Sequence, residues 1–515
     1  MNKTTSISAY NNKQHGHKSQ LQDRNDANNH QLIKQYIDTV LQTHDVNSQS
    51  KTSNKLITLG QLGLSDGHEL LLLQAALQHK NQSLSCQQQY RVHLIVLTTN
   101  PINKQHLKQI WTQQGLLAPS HPLFAYTNAL LKTELAAIKG CQRLTLNNTK
   151  LIIDVYCGKP LEQLKLIATP ATQAVEHWLA LAHTCQTESL DHYFNPAVLW
   201  QCGRLSSNNA SVYIAAEESA NIIAVNKQLQ HCGFVTHNNK HTNNEDEIAI
   251  AERKALTQHI KQQFAYNPIA HSINNDQPIA IIGGGIAAAS LALSLAQRGK
   301  SSIIYCKDNQ LGQGASGNKQ GAVYPLLTPE NGQLSQFFQQ AFLFSRRQVQ
   351  SLVDDGFHIG HQWCGVLHTG FDERSETRLT KIINGQQWPQ EIATAVTAQQ
   401  ASDIARVTID KSGFYYPLGG WVCPFEFAQA AISKAQTLAN VKVVYNSQIN
   451  RIESGPQGWQ LFSDNPTLAI ATHQQLVVAS GAQLTDYAQT KQLQISGFRG
   501  QVSHIPAQGE LAQLS

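Results

Sequence analysis

Apolar positions in the second half of the chain fall into a short run from Ile279 to Ile282, a helical spacing from Ile286 to Gln297, and a second short run from Ser302 to Tyr305. A four-residue apolar run suits a strand buried on both faces. The helix is expected to stop at Arg298-Gly299, because glycine readily takes the left-handed conformation that ends a helix. Between 54 and 260, strand-like and helix-like patterns alternate, which favours an α/β domain with a mostly parallel sheet. Residues 1–53 are rich in Asn, Gln, Ser and His, bury little apolar surface and are expected to be largely flexible, with one helix-like stretch from Asn29 to Thr43. A second polar stretch runs from His237 to Glu247, and 261–277 reads as a linker to a second domain at 278–515.

The turn between the first run and the helix carries the chemistry. Gly283, Gly285 and Ala288 fill the three small positions of G-x-G-x-x-G/A. The first permits a tight turn, the second lets backbone approach a pyrophosphate, and the third packs helix on strand. The phosphate would sit at the helix N-terminus, where unpaired N–H groups and the macrodipole favour an anion. The acid expected at the end of the second strand, for the ribose hydroxyls, falls at Cys306. Asp308, two residues on, is either its substitute or a solvated loop carboxylate. The following LGQGASGNKQGAVYPLL, Leu311 to Leu327, is rich in small residues that would let backbone N–H groups approach a large planar ligand.

Composition adds limits. The 515 residues are enough for two to four domains, and the 41% hydrophobic content supports substantial cores. The formal charge of +5 permits an anionic partner without requiring one, and Lys and Arg look scattered. Nine Cys without C-x-x-C spacing, and no charged-then-apolar leader, lead us to expect reduced thiols and a cytoplasmic protein. No apolar run approaches the roughly 18 residues needed to span a bilayer. The 22 His show no ligand spacing, so no metal site is expected.

The loop after the second strand resembles FAD-dependent oxidases of the glycine-oxidase and D-amino-acid-oxidase type. More specifically, GASGNKQGAVYPLL, WCGV at Trp363 to Val366, YPLGGWVCP at Tyr416 to Pro424 and GQVSHIP at Gly500 to Pro506 resemble, in that order, the flavin half of the MnmC family of bifunctional tRNA 5-methylaminomethyl-2-thiouridine biosynthesis proteins. The resemblance implies an FAD cofactor and a tRNA substrate. The implied reaction oxidises the carboxymethylaminomethyl side chain of a wobble uridine to an imine, which water cleaves to glyoxylate and an aminomethyl group. It also implies that Gly283, Gly285 and Ala288 hold the pyrophosphate, while Ser316, Gly317, Asn318 and Gln320 line the approach to the isoalloxazine. Tyr324, Tyr416 and Trp421 are either ring or substrate neighbours or ordinary core. No catalytic base is identified.

By the same resemblance, 54–260 should be an S-adenosylmethionine-dependent methyltransferase domain that methylates the aminomethyl nitrogen. Gly63 and Gly67 keep two glycines of the family's cofactor loop, but Ser65 replaces the middle one and Glu69 stands where Asn is expected. The ribose-binding acid falls at Thr98, Gly-Asp becomes Gly158-Lys159, and the segment presenting the catalytic Asp reads Ala180-Leu181-Ala182-His183, with Asp191 an alternative alignment. We therefore expect a methyltransferase-shaped domain that has lost most S-adenosylmethionine binding. Family flavin domains continue beyond GQVSHIP, so the second domain is expected to be cut short.

The expected fold class is thus α/β: an N-terminal Rossmann-like methyltransferase fold, then a C-terminal FAD-binding Rossmann domain with an inserted α+β substrate domain. Besides the tRNA reading, two alternatives stay open: an oxidase of a free small amine or amino acid, and a non-catalytic tRNA-binding scaffold.

Overall fold

Strands β1 (Leu56–Leu62) and β2 (Arg91–Thr98) are apolar and buried at nearly every position, as strands covered on both faces must be. They belong to a computed structural model that describes residues 33–34, 36–42, 56–64, 66–85, 88–146, 150–168, 174–181, 193–215, 227–237, 248–253, 277–465, 467–497, 500 and 508. The chain divides into two compact units, Met1–Leu135 with Arg143–Pro268, and Ala136–Gln142 with Ile269–Ser515. The expected linker at 261–277 lies outside the described residues apart from its last position, as does most of 1–53.

In the first unit, β1 and β2 are joined by β3 (Gly140–Leu146, of which the part from Arg143 falls in this unit), β4 (Leu151–Cys157), β5 (Val175–Leu181), β6 (Ser206–Ala215), β7 (Phe234–His237) and β8 (Ile248–Arg253) in the order β3-β4-β2-β1-β5-β6-β8-β7. The run β4-β2-β1-β5-β6 is parallel, and β8 is antiparallel to both β6 and β7. Strand order therefore reverses between β1 and β5, the place where a doubly wound sheet opens a ligand crevice. Helices α1 (His68–Asn81), α2 (Lys104–Gln113), α3 (Phe124–Leu131), α4 (Pro160–Leu166) and α5 (Pro196–Leu205) fill the crossovers. Side-chain caps start two of them: Asn103 accepts from the His106 N–H at 2.8 Å, and Asn195 accepts from the Val198 N–H at 3.0 Å with Pro196 beginning the helix.

Within the stretch expected to be flexible, residues 33–34 and 36–42 are helical, and Ile33, Ile37, Val40 and Leu41 are buried in the core of this unit. That core therefore begins ahead of residue 54. The same unit buries one ionic cluster. Asp154 on β4 is 2% exposed and accepts from Arg143 Nε at 2.7 Å and Arg143 Nη2 at 2.6 Å, and lies 2.8 Å from His93 Nε2. Burial alone would raise its pKa, but hydrogen bonds and charge from Arg143 and His93 hold the carboxyl well below the usual carboxylate range.

The second unit is built on β9 (Ile279–Ile282), β10 (Ser302–Tyr305), β17 (Val441–Val444) and β21 (Leu476–Val478), parallel throughout in the order β17-β10-β9-β21. Order reverses between β9 and β21. Helix α6 (Ile286–Gln297) packs on this sheet and on α10 (Pro424–Leu438) through small residues. Ala288, Ala289 and Ala292 on one helix and Ala428, Ala431 and Ala435 on the other are all buried, so the two backbones approach closely. Helix α6 ends at Gly299, whose φ of 74° is the left-handed conformation.

Between β10 and β17 the chain forms two small antiparallel sheets. One orders β11 (Gly321–Val323), β16 (Gly420–Val422) and β12 (His361–Gln362); the other orders β13 (Val366–Thr369), β15 (Gly413–Tyr416) and β14 (Thr394–Val396). They pack with α7 (Gln333–Asp354), α8 (Glu373–Gly385) and α9 (Ala398–Ala405). A further antiparallel sheet, β18 (Arg451–Gly455), β19 (Gly458–Phe462) and β20 (Ala471–His473), precedes β21. An inserted α+β portion on a Rossmann-like sheet is the arrangement expected from sequence.

Candidate functional site

The reversal between β9 and β21 opens a cavity of ≈ 550 Å³ at the carboxyl ends of the strands. Gly283 leaves β9 with φ 134°, and a Cβ there would run into the Ala479 carbonyl oxygen at the end of β21. Only glycine serves both the conformation and the contact. Its N–H donates to the Tyr305 carbonyl at 3.0 Å, and the Ala479 N–H donates to the Ile282 carbonyl at 2.7 Å, so three strand ends are tied at one point. Gly285 precedes α6 in extended conformation, and a Cβ there would stand 3.0 Å from Ser316 Oγ. That hydroxyl accepts from the Ile286 N–H at 3.1 Å, one of the N-terminal donors of α6.

Gly283, Gly285 and Ser316 line the cavity together, while Ala288 is buried one turn into α6, where it packs in the core of the unit. Gly317 closes a short 3-10 turn whose lining members are Ala315 and Ser316. Asn318 donates to the Ala315 carbonyl at 3.2 Å, and Gln320 is exposed; neither of these two, nor Gly317, is among the lining residues. Tyr416 is 2% exposed and belongs to the core, and Tyr324 stacks at 5.6 Å from it with 42% of its surface exposed. The GQVSHIP segment after Gly500 lies outside the described residues.

The position expected to carry the ribose acid faces the turn instead. Cys306 is fully buried, and a Cβ on Gly284 would overlap its Sγ. Burial pushes the thiol's pKa up. Asp308 lies on the cavity wall with Lys307. Sequence reasoning missed Ala479 and Ser480, which form the opposite wall. Ser480 Oγ is buried without a hydrogen-bond partner and lines the cavity, a polar group that a bound ligand would satisfy. The signal was there: Leu476–Val478 is a short apolar run followed by Ala-Ser-Gly, the same strand-to-turn pattern as after β9. The glycine cradle, the helix N-terminus, the carboxylate and the free hydroxyl fit the pyrophosphate and ribose of a dinucleotide.

At the corresponding edge of the first unit, the described loop residues are hydrogen-bonded to one another and to α2. Gly63 and Gly67 both have positive φ, 87° and 77°. Trp111 Nε1 donates to the Asp66 carbonyl at 2.8 Å and Gln114 donates to the Asp66 carboxylate, which ties the loop down onto α2. Glu69 is buried and accepts from Gln61 Nε2 at 2.8 Å. Thr98 donates to the Asn100 carbonyl at 3.0 Å, and the Thr99 N–H donates to the buried Tyr193 hydroxyl at 3.1 Å. Thr98, Thr99 and Asn100 stand at the end of β2, so among the described residues this strand end carries no carboxylate for ribose hydroxyls and does not fit S-adenosylmethionine. Ser65, Ala182, His183 and Asp191 lie outside the described residues.

Among the described residues no helix is long and apolar enough to cross a membrane, and no group of three His, Cys, Asp or Glu could hold a metal ion.

A family model described as FAD dependent oxidoreductase, DAO, matches residues 278–515. The chain is 59% identical over 523 residues to the tRNA 5-methylaminomethyl-2-thiouridine biosynthesis bifunctional protein MnmC of Shewanella frigidimarina, covering 100% of this chain and 75% of that protein. It is 44% identical over 530 residues to the protein of the same description from Shewanella denitrificans, covering 92% and 69%. Among solved structures, glycine oxidase from Bacillus cereus matches 41% of this chain and 59% of its own at 22% identity, with a TM-score of 0.35.

Proposed function

The chain belongs to the MnmC family of bifunctional tRNA 5-methylaminomethyl-2-thiouridine biosynthesis proteins, and from that premise we propose that its second unit oxidises the carboxymethylaminomethyl side chain of a tRNA wobble uridine, with or without the 2-thio group. The C–N bond on the carboxymethyl side loses two electrons and two protons to become an imine, and water cleaves this to glyoxylate and the aminomethyl nucleoside. FAD, when bound, supplies the acceptor for the two electrons.

The protein's own groups bind and orient. Gly283 and Gly285 bring backbone to the pyrophosphate, with Ala288 seating the helix behind them; Ser316 and Ser480 offer hydroxyls, and Asp308 takes the ribose hydroxyls. Gly317, Asn318 and Gln320 are assigned to the approach of the isoalloxazine. No general base is assigned, because a neutral amine needs none. The FAD-dependent domain is assigned to 278–515, the methyltransferase-like domain to 54–260 and the linker to 261–277, in a cytoplasmic protein.

The observation that carries the reading is the glycine turn opposed by Ala479 and the partnerless Ser480 hydroxyl at the strand reversal. Family membership favours tRNA over a free amine or a non-catalytic scaffold. Methyl transfer is the family's second step; no step of it is assigned here, since the described edge of the first unit does not fit S-adenosylmethionine. The test is an absorbance spectrum of the purified chain before and after anaerobic addition of tRNA bearing carboxymethylaminomethyluridine. Bleaching by that tRNA and not by glycine or sarcosine is expected. A flavin reduced by the free amines and indifferent to the tRNA would reverse the assignment.

A further inference from the structure

Helix α8 in the second unit has one apolar and one basic face. Leu379 and Ile382 are buried, while Arg374, Arg378 and Lys381, spaced at i, i+4 and i+7, are exposed on the same side. With Pro329, Glu373 and Thr377 they line an open groove of ≈ 490 Å³. None of the three cations makes an ion pair among the described residues. The nearby Glu376 is taken by Lys411 at 3.0 Å, which leaves Glu373 as the one carboxylate of the groove. The residue before the cap of α8, Phe371, is 90% exposed, an unusual position for a large aromatic side chain.

An aromatic cluster links the segment that follows the cofactor loop to the strands on which α8 packs. The chain runs from Ser316 on the cavity wall through β11 to Tyr324, whose exposed ring lies 5.6 Å from Tyr416 and 6.2 Å from His368. Burial lowers the pKa of His368 and the Arg378 guanidinium lowers it further; burial raises Tyr416 to about 12, Tyr324 adds to this, and Arg378 opposes it. Helix α8 packs on β13 and β15, the strands that carry His368 and Tyr416, so the basic helix and the aromatic group that follows the cofactor loop belong to one packed layer.

We propose that the basic face of α8 is the phosphate-binding track of the tRNA substrate, with Phe371 as a stacking surface for an unpaired base at its outer end and the Tyr324–Tyr416–His368 cluster at its inner end. The proposal rests on the tRNA reading above and assigns the surface that reading leaves open. Three unpaired cations in an open groove match a polyanion, and an exposed aromatic beside them matches single-stranded nucleic acid.

The experiment is a titration of the flavin-loaded chain with tRNA bearing carboxymethylaminomethyluridine at several salt concentrations, followed by anisotropy. The triple variant Arg374→Ala, Arg378→Ala, Lys381→Ala should keep its flavin spectrum and lose at least about ten-fold in affinity at low salt, with the slope of log K against log salt shallower by about 2 to 3. Lys381→Ala alone should change the slope by about 1, which serves if the triple variant fails to fold. Lys442→Ala, an exposed charge on β17, should change neither. Wild-type affinity and slope in the α8 variants, or an equal loss in Lys442→Ala, would overturn the proposal. Tight binding through α8 without bleaching of the flavin would instead remove the oxidase reading and leave the surface standing. Absence of tRNA binding by the wild type would remove both.

Discussion

Cys306 lies so close beneath Gly284 that a side chain on the glycine would overlap its sulfur. Placing an acid at 306, as the usual dinucleotide pattern has it, would bury a charge against the turn instead of offering it to a ribose. Cys306→Asp is therefore expected to lower both flavin content and melting temperature. Asp308→Ala, by contrast, should leave the fold intact and weaken FAD by about ten-fold to a hundred-fold, the worth of a charge-assisted hydrogen bond. Reconstitution of the apoprotein with FAD, followed by fluorescence quenching, measures both.

The turn itself is sensitive to a single methyl group. Gly283→Ala forces φ 134° on a residue with a Cβ and drives that Cβ into the Ala479 carbonyl. Protein purified from this variant should be nearly colourless. Gly317→Val is a milder case, with a Cβ 3.0 Å from the Gly312 carbonyl, and should reduce flavin occupancy in part. Full occupancy in Gly317→Val would remove the loop from the cofactor site.

In the first unit, Asp154→Asn breaks a buried ion cluster and should cost about 3 to 5 kcal/mol at neutral pH. The sign of the pH dependence follows from the depressed carboxyl. Its stabilisation is fully present above the unfolded value of about 3.9 and is lost as pH falls toward the lower folded value. The gap between wild type and variant in urea unfolding should thus be wide at neutral pH and narrow below about pH 4. A gap that stays constant down to strongly acid pH would show that ionisation of Asp154 contributes nothing.

The loop of the first unit gives a binding prediction. With Thr99 donating to Tyr193 and Asp66 tied to α2, isothermal titration with S-adenosylmethionine should give no micromolar affinity. Micromolar binding would restore methyl transfer to this domain.

The local pattern carried the centre of the fold. The bounds of β9, α6 and β10 coincide with the apolar runs at Ile279, Ile286 and Ser302, because strand burial and helical periodicity are local properties. The opposite wall was harder to see. Ala479 and Ser480 meet Gly283 only through sheet order, which no local pattern encodes. The choice between Cys306 and Asp308 was open for a similar reason: it depends on which way a side chain points beyond the end of a strand. The helix-like stretch from Asn29 to Thr43 is helical at 33–34 and 36–42, but its place in the core could not be read from a segment whose average composition is polar. Arg374, Arg378 and Lys381 looked scattered along the sequence and become a cluster only when helical geometry brings every fourth residue to one face.

The contact of Gly283 with Ala479 also fixes an order of events during synthesis. The turn emerges early in the second unit, but the carbonyl that closes it lies nearly two hundred residues later, so the cradle is incomplete while β21 is still untranslated. At about 5 to 20 residues per second that interval is about 10 to 40 s. Throughout it the β9 edge that β21 will cover has no β21 to pair with, an open strand edge of the kind that can pair with the wrong strand.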